Sequence, residues 1–156
     1  MILFKASGAT YDRVASQSVH AFPYSPAEVR PDEFVLLSKN RADCAPAECQ
    51  IQRVAKVQSV RAATPAELEE LFPNVEAGQR WRFIARMYWV KRLDKPFNLS
   101  RVRGLNYKRY GTVVDFARID ATDELLLFGY LCKSNPEVVM DVVNNAAPPD
   151  GHNSRD

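Results

Sequence analysis

The chain has 156 residues, 46% hydrophobic and 26% charged, which suffices for one domain with its own core and falls short of two of ordinary size. No window approaches the ~18 consecutive apolar residues of a membrane span, and the opening MILFKAS lacks the apolar run and cleavage site of a secretory signal, so a soluble, cytoplasmic protein is expected. A net charge of +2 excludes little by itself; its distribution along the chain is more informative.

Taken in order, MILFKAS and Asp32 to Lys39 are short, apolar and bounded by turn formers, which predicts two strands. Between them SPAEV, Ser25 to Val29, marks one helical turn stopped by Pro31. The stretch IQRVAKVQSVR alternates as a third strand. In TPAELEELF, Thr64 as cap, Pro65 at the first helical position and Glu67 three residues after the cap form a capping box, so a short helix ends near Phe72 and Pro73. The long strand GQRWRFIARMYWVKR points Trp81, Phe83, Ala85, Met87 and Trp89 to one face, because side chains alternate along an extended backbone. Trp89, mid-strand beside Met87 and Val90, is assigned to the core, where truncating a buried Trp costs about 3 to 5 kcal/mol. Trp81, at the entrance of the strand beside Gly78 and two arginines, is the better candidate for a binding surface.

KPFNLSRVRGLNYKRYG has no sustained periodicity and reads as a loop or short helix. Thr112 to Ile119 is a further β-rich strand, and DATDELLLFGYLCK is a helix capped by Asp120 or Thr122 and broken around Pro136. The expected organisation is a domain over residues 1–133, followed over 134–156 by a short helix and a disordered tail or linker. Five or so strands with short helical connectors, without regular β-helix-β alternation, predict an α+β fold built on a small, partly open β-barrel.

Residues 78–111 contain ten basic side chains and one acidic one, Asp94, a local charge of +9, while the other 122 residues carry 11 basic and 18 acidic, or −7. Such segregation is the footprint of a polyanion partner, commonly nucleic acid, and the tyrosines interleaved in LNYKRYG favour that reading over a merely solvated face. Catalytic signatures are missing: no G-x-S-x-G, P-loop, G-x-G-x-x-G or H-E-x-x-H occurs, and His20 is a lone histidine without a paired nucleophile. Cys44 and Cys49 in C-x4-C spacing, with Cys132, match neither a zinc knuckle nor a redox pair, so neither metal nor cofactor is expected. Binding is favoured over catalysis.

The succession ILFKAS, DEFVLLSKN, IQRVAKVQSV and RWRFIARMYWVKRLDKPFNLSRV resembles the EVE domain, and its F-x-x-R-x-x-W-V-K run is also similar to the YTH domain; both are relatives of the PUA fold. Across roughly residues 1 to 130 the resemblance implies a PUA-like barrel of five or six strands that takes a modified base out of its stack into an aromatic cage. The modified base implied is methylated or hydroxymethylated cytosine or 6-methyladenine, in DNA rather than RNA. Such a module serves modification-dependent restriction beside a fused or separate nuclease or ATPase. Lys5 and Ser7 fall where the family has its pocket Lys and small polar residue, and Trp81 falls where YTH relatives carry a cage tryptophan. The second wall would come from VHAFPYS, through His20, Phe22 or Tyr24, since the W-x-x-x-R-N segment typical of the EVE domain has no counterpart; this leaves the identity of the base open.

Ser38 and Asn40 are, with Lys5 and Ser7, the candidates for hydrogen bonds to the base edge. Arg80, Arg82, Lys108 and Arg109 are the expected phosphate contacts, with Tyr107 and Tyr110 stacking on neighbouring bases or sugars. Recognition cannot rest on a methyl group alone, whose burial contributes about 0.8 kcal/mol, so a closed cage with edge hydrogen bonds is required. Two alternatives remain at this level: an RNA-binding protein of the same fold, and a small ASCH-type hydrolase of a modified nucleoside that depends on Lys5.

Overall fold

The computed structural model describes residues 1–40, 50–75 and 80–144. Cys44, Cys49, Gly78 and the segment 145–156 lie outside the described residues. Six strands form one sheet: β1 (Ile2–Ala6), β2 (Val19–Phe22), β3 (Phe34–Lys39), β4 (Ile51–Ala62), β5 (Phe83–Phe97) and β6 (Phe116–Arg118), in the spatial order β2-β5-β4-β3-β1-β6. Only β1 and β3 pair in parallel; the other four ladders are antiparallel. Five short helices accompany them: α1 (Tyr11–Gln17), α2 (Pro65–Leu71), α3 (Lys108–Gly111), α4 (Ala121–Ser134) and α5 (Pro136–Asn144).

The strands most continuous in apolar residues are those buried on both faces. Along β1, Ile2, Phe4 and Ala6 enter one core while Met1 and Leu3 enter the other, and along β3 Val35 and Leu37 separate from Phe34 and Leu36 in the same way. The first core is covered by Tyr11 and Val14 of α1 and by Leu68 and Phe72 at α2; the second by Leu127 and Leu131 of α4 and Val139 and Val142 of α5. Packing therefore continues past residue 133: α4 runs to Ser134, and Pro136, expected to break a helix, occupies the first turn of α5, where its missing N–H costs nothing.

The capping box is half formed. Thr64 Oγ1 accepts from the Glu67 N–H at 3.2 Å, but the Glu67 carboxylate turns to the guanidinium of Arg61, with Nη1 at 2.8 Å, instead of returning to the cap. SPAEV forms a turn closed by the Val29 N–H on the Pro26 carbonyl at 2.9 Å, short of a helix. The strand expected over Thr112 to Ile119 shrinks to Phe116–Arg118, whereas α1 and β2 appear where no element was predicted.

Strict alternation along β5 fails at Trp89. Its φ is +55°, and between the pairs Lys56↔Tyr88 and Val54↔Lys91 strand β5 advances three residues against two on β4. The extra residue is a bulge, and it moves Trp89 to the second core while Val90 packs on the first, with Met87. Trp89 is half-buried there, with Lys91 Nζ 5.7 Å from its ring centroid, so the full cost of removing a buried Trp does not apply.

The sheet curls until its two outer strands meet through side chains. The ring of Phe22 on β2 stands edge-on to Phe116 of β6 at 5.6 Å, and His20 of β2 donates from Nε2 to the carbonyl of Asp115 at 2.9 Å. Among the described residues no backbone ladder joins these two strands, so this is a half-barrel closed by rings and one imidazole.

Candidate functional site

A cavity of about 260 Å3 opens beside this closure. It is below the ~300 to 1,000 Å3 of sites for drug-sized ligands, a scale suited to one flat ring system. Its floor comes from the end of β1 and the turn after it, Lys5, Ala6, Ser7 and Thr10; His20 and Ala21 of β2 form one side, with Asn40 following β3; Phe72, Arg80 and Trp81 form another, and Val114 and Asp115 close it. Six residues expected from the sequence thus share one cavity: Lys5, Ser7, His20, Asn40, Arg80 and Trp81.

Each is held by identifiable local chemistry. The Lys5 side chain is buried, an unfavourable environment for an ammonium unless hydrogen bonds replace water. Its Nζ donates to the carbonyls of Tyr110 at 2.5 Å and Gly111 at 3.3 Å, carbonyls at the end of α3 that lack helical partners. This ties α3, with Lys108 and Arg109, to the pocket floor. Ser7 and Thr10 hydroxyls share a hydrogen bond of 2.7 Å, and the Ser7 carbonyl accepts the N–H groups of Thr10 and Tyr11, starting α1. Trp81 is half-buried, standing edge-on to Phe72 at 5.0 Å and 69°. Arg82 reaches back to the Trp81 carbonyl at 2.7 Å, while its own N–H bonds the Phe22 carbonyl at 2.8 Å, which anchors the entrance of β5 to β2.

His20 is buried between Phe4 at 5.0 Å and Phe22 at 4.6 Å. Burial pushes its pKa down to about 4, opposed only by its bond to the Asp115 carbonyl, so the ring is neutral at pH 7 with the proton on Nε2. It is better suited to bracing the closure than to acid-base work.

Other expectations are corrected by burial. Phe22 is fully buried behind His20, and Ser38 is buried with its hydroxyl donating to the Lys39 carbonyl at 3.1 Å; neither lines the cavity. Tyr110 is a core residue: its hydroxyl donates to Asp123 at 2.6 Å and accepts from the Asp120 N–H at 3.2 Å, and burial with the Asp123 carboxylate raises its pKa to about 12. Only its backbone carbonyl serves the pocket. Tyr24 is exposed and leans on Phe116 at 6.0 Å; partial burial and the charge of Asp115 raise its phenol pKa. Tyr107, Lys108 and Arg109 are exposed at α3, where Arg109 pairs with Asp120, so part of its charge is already matched.

Sequence reasoning missed Thr10, Phe72 and Asp115. The signal for Asp115 is a lone carboxylate inside the apolar TVVDFARI, where the pattern predicts a strand residue; in the structure it sits at φ +68°, before β6 begins. No cluster of three metal-ligating side chains occurs among the described residues, and none of their helices is long and apolar enough to cross a membrane.

No protein-family model matches the sequence, and no curated protein is significantly similar to it. Solved structures are similar in shape. The ASCH protein of Zymomonas mobilis superposes with a TM-score of 0.60 at 8% identity, over 82% of this chain and 93% of that one. Two single-residue variants of the same protein give 0.57 at 9% identity, over 82% and 96%, and 0.60 at 8%, over 83% and 94%. The fold is therefore the small PUA-like fold of ASCH domains. At 8 to 9% identity the likeness shows the fold alone, and it does not single out the EVE domain.

Proposed function

We propose that the chain is a nucleic-acid-binding domain that takes one extruded base into the cavity floored by Lys5 and Ser7 and walled by Trp81. The observation that carries this is the coincidence of a cavity of about 260 Å3 with the basic segment: Arg80 lines it, and Lys5 ties Lys108 and Arg109 to its floor. In this reading the base stacks on Trp81. Lys5, Ser7 and Asn40 lie within the pocket for its polar edge, and Arg80, Arg82, Lys108 and Arg109 meet phosphates, which fix position without reading sequence. The base is a modified one in DNA, methylated or hydroxymethylated cytosine or 6-methyladenine, and the module serves restriction beside a nuclease or ATPase. Binding is preferred to catalysis because the hydroxyls of Ser7 and Thr10 bond each other and His20 spends its Nε2 proton on a backbone carbonyl.

Fluorescence anisotropy with short duplexes carrying cytosine, 5-methylcytosine, 5-hydroxymethylcytosine or 6-methyladenine tests this, with single-stranded DNA and RNA at the same salt. Tighter binding to one modified duplex is expected. Equal affinity for all duplexes refutes modified-base reading, and a preference for single-stranded RNA moves the function to RNA.

A further inference from the structure

The base-binding reading leaves unassigned the residue most constrained at the cavity. Asp115 lines it, and its backbone is fixed from two strands at once: its carbonyl accepts the Lys5 N–H at 2.8 Å and the His20 Nε2–H at 2.9 Å. Its φ of +68° is a left-handed conformation that Asp tolerates better than most residues but that still opposes regular strand geometry. With the carbonyl turned to β1 and β2, the carboxyl is left half-buried, and among the described residues no side chain forms an ion pair or hydrogen bond with it. Burial alone raises its pKa. A half-buried carboxylate without a protein donor is unfavourable for the protein by itself and becomes favourable when a ligand brings N–H groups.

We infer that Asp115 is the specificity-determining residue of this pocket, selecting a base that presents an exocyclic amino group on its pairing edge. The inference rests on the base-binding reading and names the class of base. An ionised carboxylate offers only acceptors. Cytosine, adenine and guanine, with or without a methyl group on a ring carbon, each place an N–H donor from the amino group opposite it. Thymine and uracil place carbonyl oxygens on both sides of their single ring N–H, so an acceptor faces an acceptor. For cytosine a 5-substituent sits on the ring carbon next to the one that bears the amino group, so the mark lies beside the Asp115 contact and is read separately, by shape, while the carboxylate reads the amino group.

The test uses the full chain and labelled oligonucleotides identical except at one unpaired position, which holds cytosine, 5-methylcytosine, N4,N4-dimethylcytosine, thymine or an abasic site. A hydrogen bond to a charged group supports a preference of roughly tenfold or more for cytosine over thymine and over the dimethylated base. Asp115→Asn, which tolerates the same φ and keeps the size, should bring cytosine and thymine within about threefold of each other. Equal wild-type binding of cytosine and N4,N4-dimethylcytosine overturns the inference without needing any variant, as does a folded Asp115→Asn protein with the wild-type base profile. If wild-type protein binds the abasic strand as tightly as every base, the base-binding reading itself fails.

Discussion

Replacing Trp81 by alanine separates binding from folding, and the structure sets both magnitudes. Full removal of a buried Trp costs about 3 to 5 kcal/mol, and Trp81 is mostly but not fully buried, so a cost at or below the lower end, about 2 to 3 kcal/mol, applies. The edge-on pair with Phe72 at 5.0 Å accounts for about 0.5 to 1.5 kcal/mol of it. A loss of about 2 kcal/mol lowers the melting temperature of a domain this size by about 4 to 8 °C, which calorimetry resolves while leaving the protein folded at 20 °C. Stacking one base contributes about 1 to 3 kcal/mol, so Trp81→Ala should weaken binding of a modified duplex by ~5- to 150-fold, while Trp81→Phe stays within a few fold. Phe72→Leu supplies the control: it removes the edge-on support and destabilises comparably without deleting the stacking ring. The reasoning is refuted if Trp81→Ala remains folded and binds as wild type, or if Phe72→Leu loses as much affinity as Trp81→Ala.

Three further outcomes follow from particular groups. Arg80→Ala and Lys108→Ala should each weaken binding of all sequences alike and reduce the slope of log affinity against log salt by roughly 0.7 to 0.9; an unchanged slope removes that residue from the phosphate track. His20 has a folded-state pKa of about 4 against 6.5 ordinarily, so the unfolded chain binds more protons between these values and stability falls as pH drops from 6.5 to 4, by about 3 kcal/mol in all. His20→Phe should remove that part of the pH dependence in urea melts, and an unchanged profile contradicts a neutral buried imidazole. Tyr110→Phe leaves the buried Asp123 without its 2.6 Å donor and should cost about 1 to 3 kcal/mol, measured by chemical denaturation; a loss of binding with no loss of stability would return Tyr110 to the interface.

Much of the scaffold was legible because it depends on neighbours in sequence. The apolar runs of β1 and β3, the β-rich run of β4 and the Thr64 cap of α2 are near-neighbour patterns, and the structure contains all four, although register shifts against β5 break the alternation along β4. The basic content of residues 78–111 is likewise a property of the chain itself. Lys5, Ser7, His20, Asn40, Arg80 and Trp81 line one cavity, and the reasons they gather there are not visible in the sequence.

Those reasons lie in contacts between distant segments. Ninety-five residues separate His20 from the Asp115 carbonyl that it holds, and 105 separate Lys5 from the Tyr110 carbonyl; no local periodicity encodes either. The bulge at Trp89 depends on β4 and β5 accommodating unequal lengths, so the face a residue takes after it cannot be counted from the residues before it. Tyr110 and Phe22 carry side chains suited to a binding surface, and only the packing of α4 and of the closing strand decides that they are buried. By itself the sequence determined the strands, the cap and the charge; the tertiary structure alone decided which edge strands meet, and hence that a carboxylate, Asp115, stands at the pocket between them, because closing a curled sheet joins residues by geometry rather than by order.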